Sequence, residues 1–144
     1  MKIGIGSDHG GYLAKEKIKE YLKDRYEIID FGTTSIESVD YPKYAFLIGK
    51  AVVNKEVEKG ILICTTGIGM SIACNKVHGV RCAKVDNLEE AVLTREHNNS
   101  NVIALSAKKD IEEVKQIIDT FLTTEFSGEE RHVRRVQMID SYED

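Results

Sequence analysis

Cysteine is scarce in this chain, with three among 144 residues, at positions 64, 74 and 82. An odd number without close pairing is no disulfide framework, so all three are expected as reduced thiols. Long apolar runs are missing as well. None approaches the roughly 18 residues that a membrane span requires, and no membrane role is expected. The opening Lys2-Ile3-Gly4-Ile5-Gly6 has no basic leader with a small-residue cleavage site, so the expected location is cytoplasmic. A basic surplus is missing too. The formal net charge is −4, whereas nucleic-acid binders usually carry excess positive charge, so no nucleic-acid partner is expected. Repeats, low-complexity stretches and linkers are absent. So are Walker A and C-x-x-C motifs, and His9, His78, His97 and His132 do not fall at helical metal-ligand spacing. Neither metal nor cofactor is therefore expected. Gly4-Ile5-Gly6 begins like a dinucleotide fingerprint, but those glycines lie inside a strand and Gly10 follows one place late.

What the chain does have is the composition of a globular protein, 42% apolar and 31% charged. Residues 1–144 are expected to form one domain, and a chain of this size buries roughly two-thirds of its unfolded surface. Short β-rich runs alternate with amphipathic stretches. Strands are expected at 2–6, 27–31, 60–64, 80–85 and 101–105. Helices are expected at 12–23, 42–54, 70–76, 87–96, 110–122 and 129–142. Leu13, Ile18, Tyr21 and Leu22 mark the apolar face of the first helix. Pro42, the one proline, suits the first turn of the second, with Asp40 as its cap. Asn87 caps the fourth, and Val133, Val136 and Ile139 lie at helical spacing in the last. Such alternation predicts an α/β protein with a parallel sheet covered by helices on both faces. Ligands of these sheets bind at the carboxyl ends of the strands.

Reactive residues gather there. Ser7-Asp8-His9 follows the first strand, and Cys64-Thr65-Thr66-Gly67-Ile68-Gly69 joins the third strand to a helix. Amides of such a turn form an anion-binding nest at a helix N-terminus. A thiol beside oxyanion donors can take a proton next to a carbonyl and hold the enediolate that results. The plainer alternative is a buried cysteine before an ordinary glycine turn. Asp8-His9 likewise reads either as a helix cap or as a ligand contact. His97 is either a helix-terminal histidine favoured by the macrodipole or a general acid–base. Simple topology puts His97 at the opposite end of its β-α unit, so it shares a pocket with Cys64 only if a neighbouring subunit supplies it or the helix ends early. Arg131, His132, Arg134 and Arg135 form the local basic cluster; it is either a solvated face or, through Arg131 and Arg135 at i,i+4, a phosphate clamp.

Taken in order, Gly6-Ser7-Asp8-His9-Gly10-Gly11, Val39-Asp40-Tyr41-Pro42, Gly67-Ile68-Gly69-Met70-Ser71, Arg95-Glu96-His97-Asn98 and Arg131-His132-x-x-Arg135 resemble type B ribose-5-phosphate isomerase, of the ribose/galactose isomerase family. The resemblance implies a three-layer α/β/α sandwich with a Rossmann-like parallel sheet of about five strands and an extra C-terminal helix. It implies a homodimer or homotetramer with active sites between subunits, a sugar phosphate substrate and no cofactor. It assigns proton transfer between C1 and C2 to Cys64, ring opening to His97, and the enediolate oxygens to Thr66 and the amides of Thr65, Thr66, Gly67, Ile68 and Gly69. Asp8, Tyr41 and Asn98 would contact the sugar, and His9, Arg131 and Arg135 the phosphate. Two positions depart from the pattern. Thr65 stands where the family usually has glycine, and Lys108 where it often has a phosphate-binding arginine. Both bear on substrate fit, which keeps a six-carbon sugar phosphate (allose 6-phosphate or galactose 6-phosphate) or a free sugar in view beside ribose 5-phosphate. A non-catalytic sugar-phosphate-binding module and a redox-sensing thiol protein are the readings from other classes.

Overall fold

Five runs of mostly aliphatic residues pair into one wholly parallel sheet in the computed structural model, which describes residues 1–144. The strands are β1 (Lys2–Ser7), β2 (Glu27–Asp30), β3 (Lys59–Cys64), β4 (Cys82–Lys84) and β5 (Val102–Ser106), in the order β2-β1-β3-β5-β4. The helices are α1 (Tyr12–Leu22), α2 (Tyr41–Val53), α3 (Ile68–Cys74), α4 (Leu88–Asn98), α5 (Ile111–Thr123) and α6 (Glu130–Ser141). A short 3-10 turn, His9–Gly11, leads into α1. No helix is long and apolar enough to cross a membrane.

Alternation along the strands fills two cores. Ile3, Ile5, Ile61, Ile63, Ile103 and Leu105 face α1, α4 and α5. Leu62, Cys64, Val102 and Ala104 face α2 and α3. On that second face β1 presents Gly4 and Gly6, because Ile48 of α2 lies on them. A Cβ on Gly4 would stand 3.1 Å from Ile48 Cδ1, and one on Gly6 3.2 Å from Ile48 Cγ1. These glycines thus serve close helix–sheet packing, and the likeness to a dinucleotide fingerprint has no structural counterpart.

Several element ends differ from the sequence expectation. Leu13 is largely exposed, because it lies about 140° around α1 from Ile18. Lys15 takes the buried position, its ammonium 2.6 Å from Asp30 and 3.0 Å from Glu16. Asp40 forms no side-chain cap. The third helix starts and ends earlier than expected, at Ile68 and Cys74, and Asn75 turns its amide onto both backbone groups of Cys82. β4 is shortened because Val80 closes a turn onto Val77. In α6 the buried side chains are His132 and Val136, while Ile139 is exposed.

Lys59, at the start of β3, is a dehydrated cation. Its Nζ reaches only the Phe121 carbonyl, at 3.5 Å, and lies 5.4 Å from the Phe121 ring centre. Burial, with the Arg95 charge added, lowers its pKa to about 8, and Glu125 and Glu58 offset only part of this. The unfolded amine titrates near 10.5, so between the two values the unfolded chain binds more protons and stability rises with pH. Below pH 8 the penalty is present in full. Lys59→Met is therefore expected to be more stable at pH 7 by about 1 kcal/mol, or roughly 2–4 °C in Tm, with the gain shrinking as pH rises towards 10.5. Thermal melts of both proteins across that range check it; an advantage independent of pH would contradict it.

Candidate active site

The chain leaves β1 for β2 on one side and returns across it to β3 on the other. The direction of winding therefore reverses between β1 and β3, and loops leaving their carboxyl ends splay apart to open a crevice. Asp8 and His9 follow β1, and Cys64 ends β3, with Ser7 and Ile63 paired in register between them. The sheet thus brings both of these groups to one edge.

Each is held by its own backbone. Asp8 is buried and one carboxylate oxygen accepts the Gly11 N–H at 3.0 Å, so it caps the 3-10 turn. His9 Nδ1 accepts the Val39 N–H at 3.2 Å, which puts its proton on Nε2. Cys64 is 5% exposed, and its Sγ accepts the Gly67 N–H at 3.1 Å. That donor is aimed inward because Gly67 is left-handed, at φ 80°, and lies so close to β5 that a Cβ would stand 3.0 Å from the Leu105 carbonyl carbon. Thr66 Oγ1 accepts the Ile68 N–H at 3.2 Å, and Thr66 and Ile68 are exposed above the turn. Tyr41 opens α2 and lays its ring on Gly69, where a Cβ would fall 2.6 Å from Tyr41 Cζ. Thr65 is exposed and its φ is not positive, so this β-branched residue is not held in the left-handed region. Its Oγ1 occupies the space that a side chain on Gly10 would need. Lys108 lies just beyond β5, its N–H donated to Ser106 Oγ at 3.2 Å, and Ser106 Oγ–H is donated to the Thr65 carbonyl at 2.7 Å.

The remaining site residues stand at the other end of the sheet. α4 runs antiparallel to the strands, so His97 and Asn98 in its last turn fall near the start of β5, where Gly60 pairs with Val102. Cys64 lies four residues along β3 from Gly60, about 13 Å of strand. α6 packs on α4 and brings Arg131 and Arg135 to the same pole as His97. One copy of the chain thus holds the candidate residues in two separate groups, or candidate half-sites: the thiol with its amide nest at one pole, and His97, Asn98, Arg131 and Arg135 at the other. The sequence also hid a member of the second group. His132 is 5% exposed, and its ring centre lies 4.3 Å from that of His97. Its four-residue spacing from the buried Val136 was the available signal. No three His, Cys, Asp or Glu side chains are arranged to hold a metal ion.

An open five-stranded parallel sheet with a thiol-bearing glycine turn beside its point of reversal defines a Rossmann-like α/β protein with a crevice at the carboxyl edge of β1 and β3. The chain belongs to the Ribose/Galactose Isomerase family, whose sequence profile matches residues 3–139. It is 42% identical to ribose-5-phosphate isomerase B of Escherichia coli (strain K12), over 99% of this chain and 96% of that one. Among solved structures, Clostridium thermocellum ribose-5-phosphate isomerase B superposes with a TM-score of 0.95 at 49% identity, covering 97% of this chain and 95% of that one. Ribose-5-phosphate isomerase B of Mycoplasma genitalium with bound ribulose-5-phosphate superposes with a TM-score of 0.92 at 41% identity, over 98% and 95%.

Proposed function

We propose that this protein interconverts ribose 5-phosphate and ribulose 5-phosphate through an enediolate. The observation that carries the reading is Cys64 Sγ, at the crevice, accepting the Gly67 N–H. A donor aimed at sulfur stabilises negative charge on it, which a base needs. His97 assists opening of the furanose ring. Cys64 then takes the proton from C2 of the aldehyde and returns it to C1, while the hydroxyl proton passes from O2 to O1. Thr66 and the amides from Thr65 through Gly69 hold both oxygens as charge spreads over them. Asp8, Tyr41 and Asn98 orient the sugar. His9 Nε2–H, Lys108, Arg131 and Arg135 hold the phosphate.

This assignment needs a second copy of the chain, because the two half-sites lie at opposite poles of one. A homodimer in which each thiol pole faces the partner's arginine pole completes two sites by one symmetry operation. The exposed Phe46, Leu47, Ile68 and Ile72 give α2 and α3 an apolar outer face beside the crevice that such pairing would cover.

Coupled turnover of the purified protein tests the reading, with ribose 5-phosphate beside allose 6-phosphate and galactose 6-phosphate, with and without chelator. Fast, chelator-insensitive turnover of ribose 5-phosphate is the expected result; a preference for a six-carbon substrate would move the substrate and keep the chemistry. No turnover on any of the three would favour a binding module. Arg131→Ala removes one fork of the phosphate clamp and is expected to raise KM for ribose 5-phosphate at least tenfold, the cost of roughly 1.5–3 kcal/mol in a charged hydrogen bond. An unchanged KM would take Arg131 out of the phosphate site.

A further inference from the structure

A closed circuit of contacts surrounds His97. The Ser127 N–H donates to the Glu96 carbonyl at 3.2 Å, tying the segment before α6 to the end of α4. Ser127 Oγ lies 3.0 Å from His132 Nδ1 and accepts the Glu129 N–H at 3.3 Å. The His132 ring, fixed by that hydroxyl and buried between the two helices, stands 4.3 Å from the His97 ring at a tilt of 36°. His132 lies between Arg131 and Arg135 in sequence, but it faces inward while they face solvent.

We infer that His132 is a positioning residue: held by Ser127, it supports the His97 imidazole and links the helix that carries the phosphate arginines to the group that opens the sugar ring. The inference rests on the isomerase reading above. A support of this kind has to stay uncharged beside a residue that handles protons. Dehydration, then the charges of His97, Arg131 and Arg135, lower the His132 pKa, and Glu129 offsets only part of that. The arrangement gives the residues of this one pole a common purpose. Phosphate on Arg131 and Arg135 steadies α6, and α6 through His132 fixes the imidazole that must meet the ring oxygen.

Ribulose 5-phosphate separates this role from a general structural one. Its O5 is esterified, so the ketose cannot close a furanose, and exchange of its C1 hydrogen with solvent needs the thiol but no ring opening. His132→Ala in the full-length protein is expected to lower kcat on ribose 5-phosphate roughly 10–100-fold, with KM and deuterium wash-in at C1 of ribulose 5-phosphate kept within about twofold. Ser127→Ala, at an exposed position, is expected to lower kcat severalfold with the same split, and it serves if His132→Ala does not fold. Turnover and exchange falling together, or turnover unchanged in both variants, would overturn the inference. Wild-type protein that neither turns over nor exchanges would overturn the isomerase reading instead, before any variant is compared.

Discussion

Cys64→Ala is expected to lower kcat on ribose 5-phosphate by roughly 10²–10⁴-fold, the usual worth of a positioned general base. The expectation follows from what the turn provides. Hydroxyls and amides line it, but the one side chain there that can accept a proton from carbon and give it back is the thiol. Removing sulfur leaves the Gly67 N–H without its acceptor but changes no backbone, since the left-handed Gly67 is fixed by its contact with β5. The fold cost is that of deleting one buried atom and leaving one buried donor unpaired, about 1–3 kcal/mol. KM should move little, because the phosphate is held by His9, Lys108 and the arginines. Deuterium wash-in at C1 of ribulose 5-phosphate should vanish with turnover, and this distinguishes the base from the ring-opening residues. Steady-state kinetics beside proton NMR of the ketose in D2O measure both. Residual activity above a tenth of wild type would sink Cys64 as the base.

The sheet was legible in the sequence because its signal is local. Each strand is a short aliphatic run, each helix has its own apolar period, and their alternation permits little besides a parallel sheet. The thiol turn was legible for the same reason: a strand-ending cysteine and a Gly/Thr-rich turn stand directly before a helix. What escaped depended on distant partners. Lys15 is buried because Asp30 waits on β2, which nothing near position 15 announces, and Leu13 is displaced to solvent by the same helical geometry. Asp40 satisfies the composition of a cap without making the bond. His132 lies in a run of arginines that reads as a solvated face, yet α6 turns that one residue inward onto α4. Thr65 raised a question of strain that only its backbone could answer, and its φ is not positive.

The separation of Cys64 from His97 within one chain leads to the strictest expectation. If each site draws its thiol from one subunit and its histidine from the other, then Cys64→Ala and His97→Ala should both be inactive alone and active when mixed. Consider a dimer formed from one copy of each. One of its sites receives both defects, while the other receives the intact Cys64 of the His97→Ala chain and the intact His97 of the Cys64→Ala chain. Half of randomly paired dimers are of this kind, each with one working site, so unfolding and refolding the variants together should restore about a quarter of wild-type turnover. Wild type carried through the same refolding supplies the reference. A site built within a single chain predicts the opposite, because no pairing of two defective chains could then contain both groups. The expectation needs no particular dimer geometry. It requires only that α4 end at the pole opposite the Cys64 turn, which follows from a helix that returns antiparallel to its strands. A mixture as inactive as its components would show that His97 does not act across the interface, and would leave ring opening to a group on the thiol pole, where Asp8 and His9 follow β1.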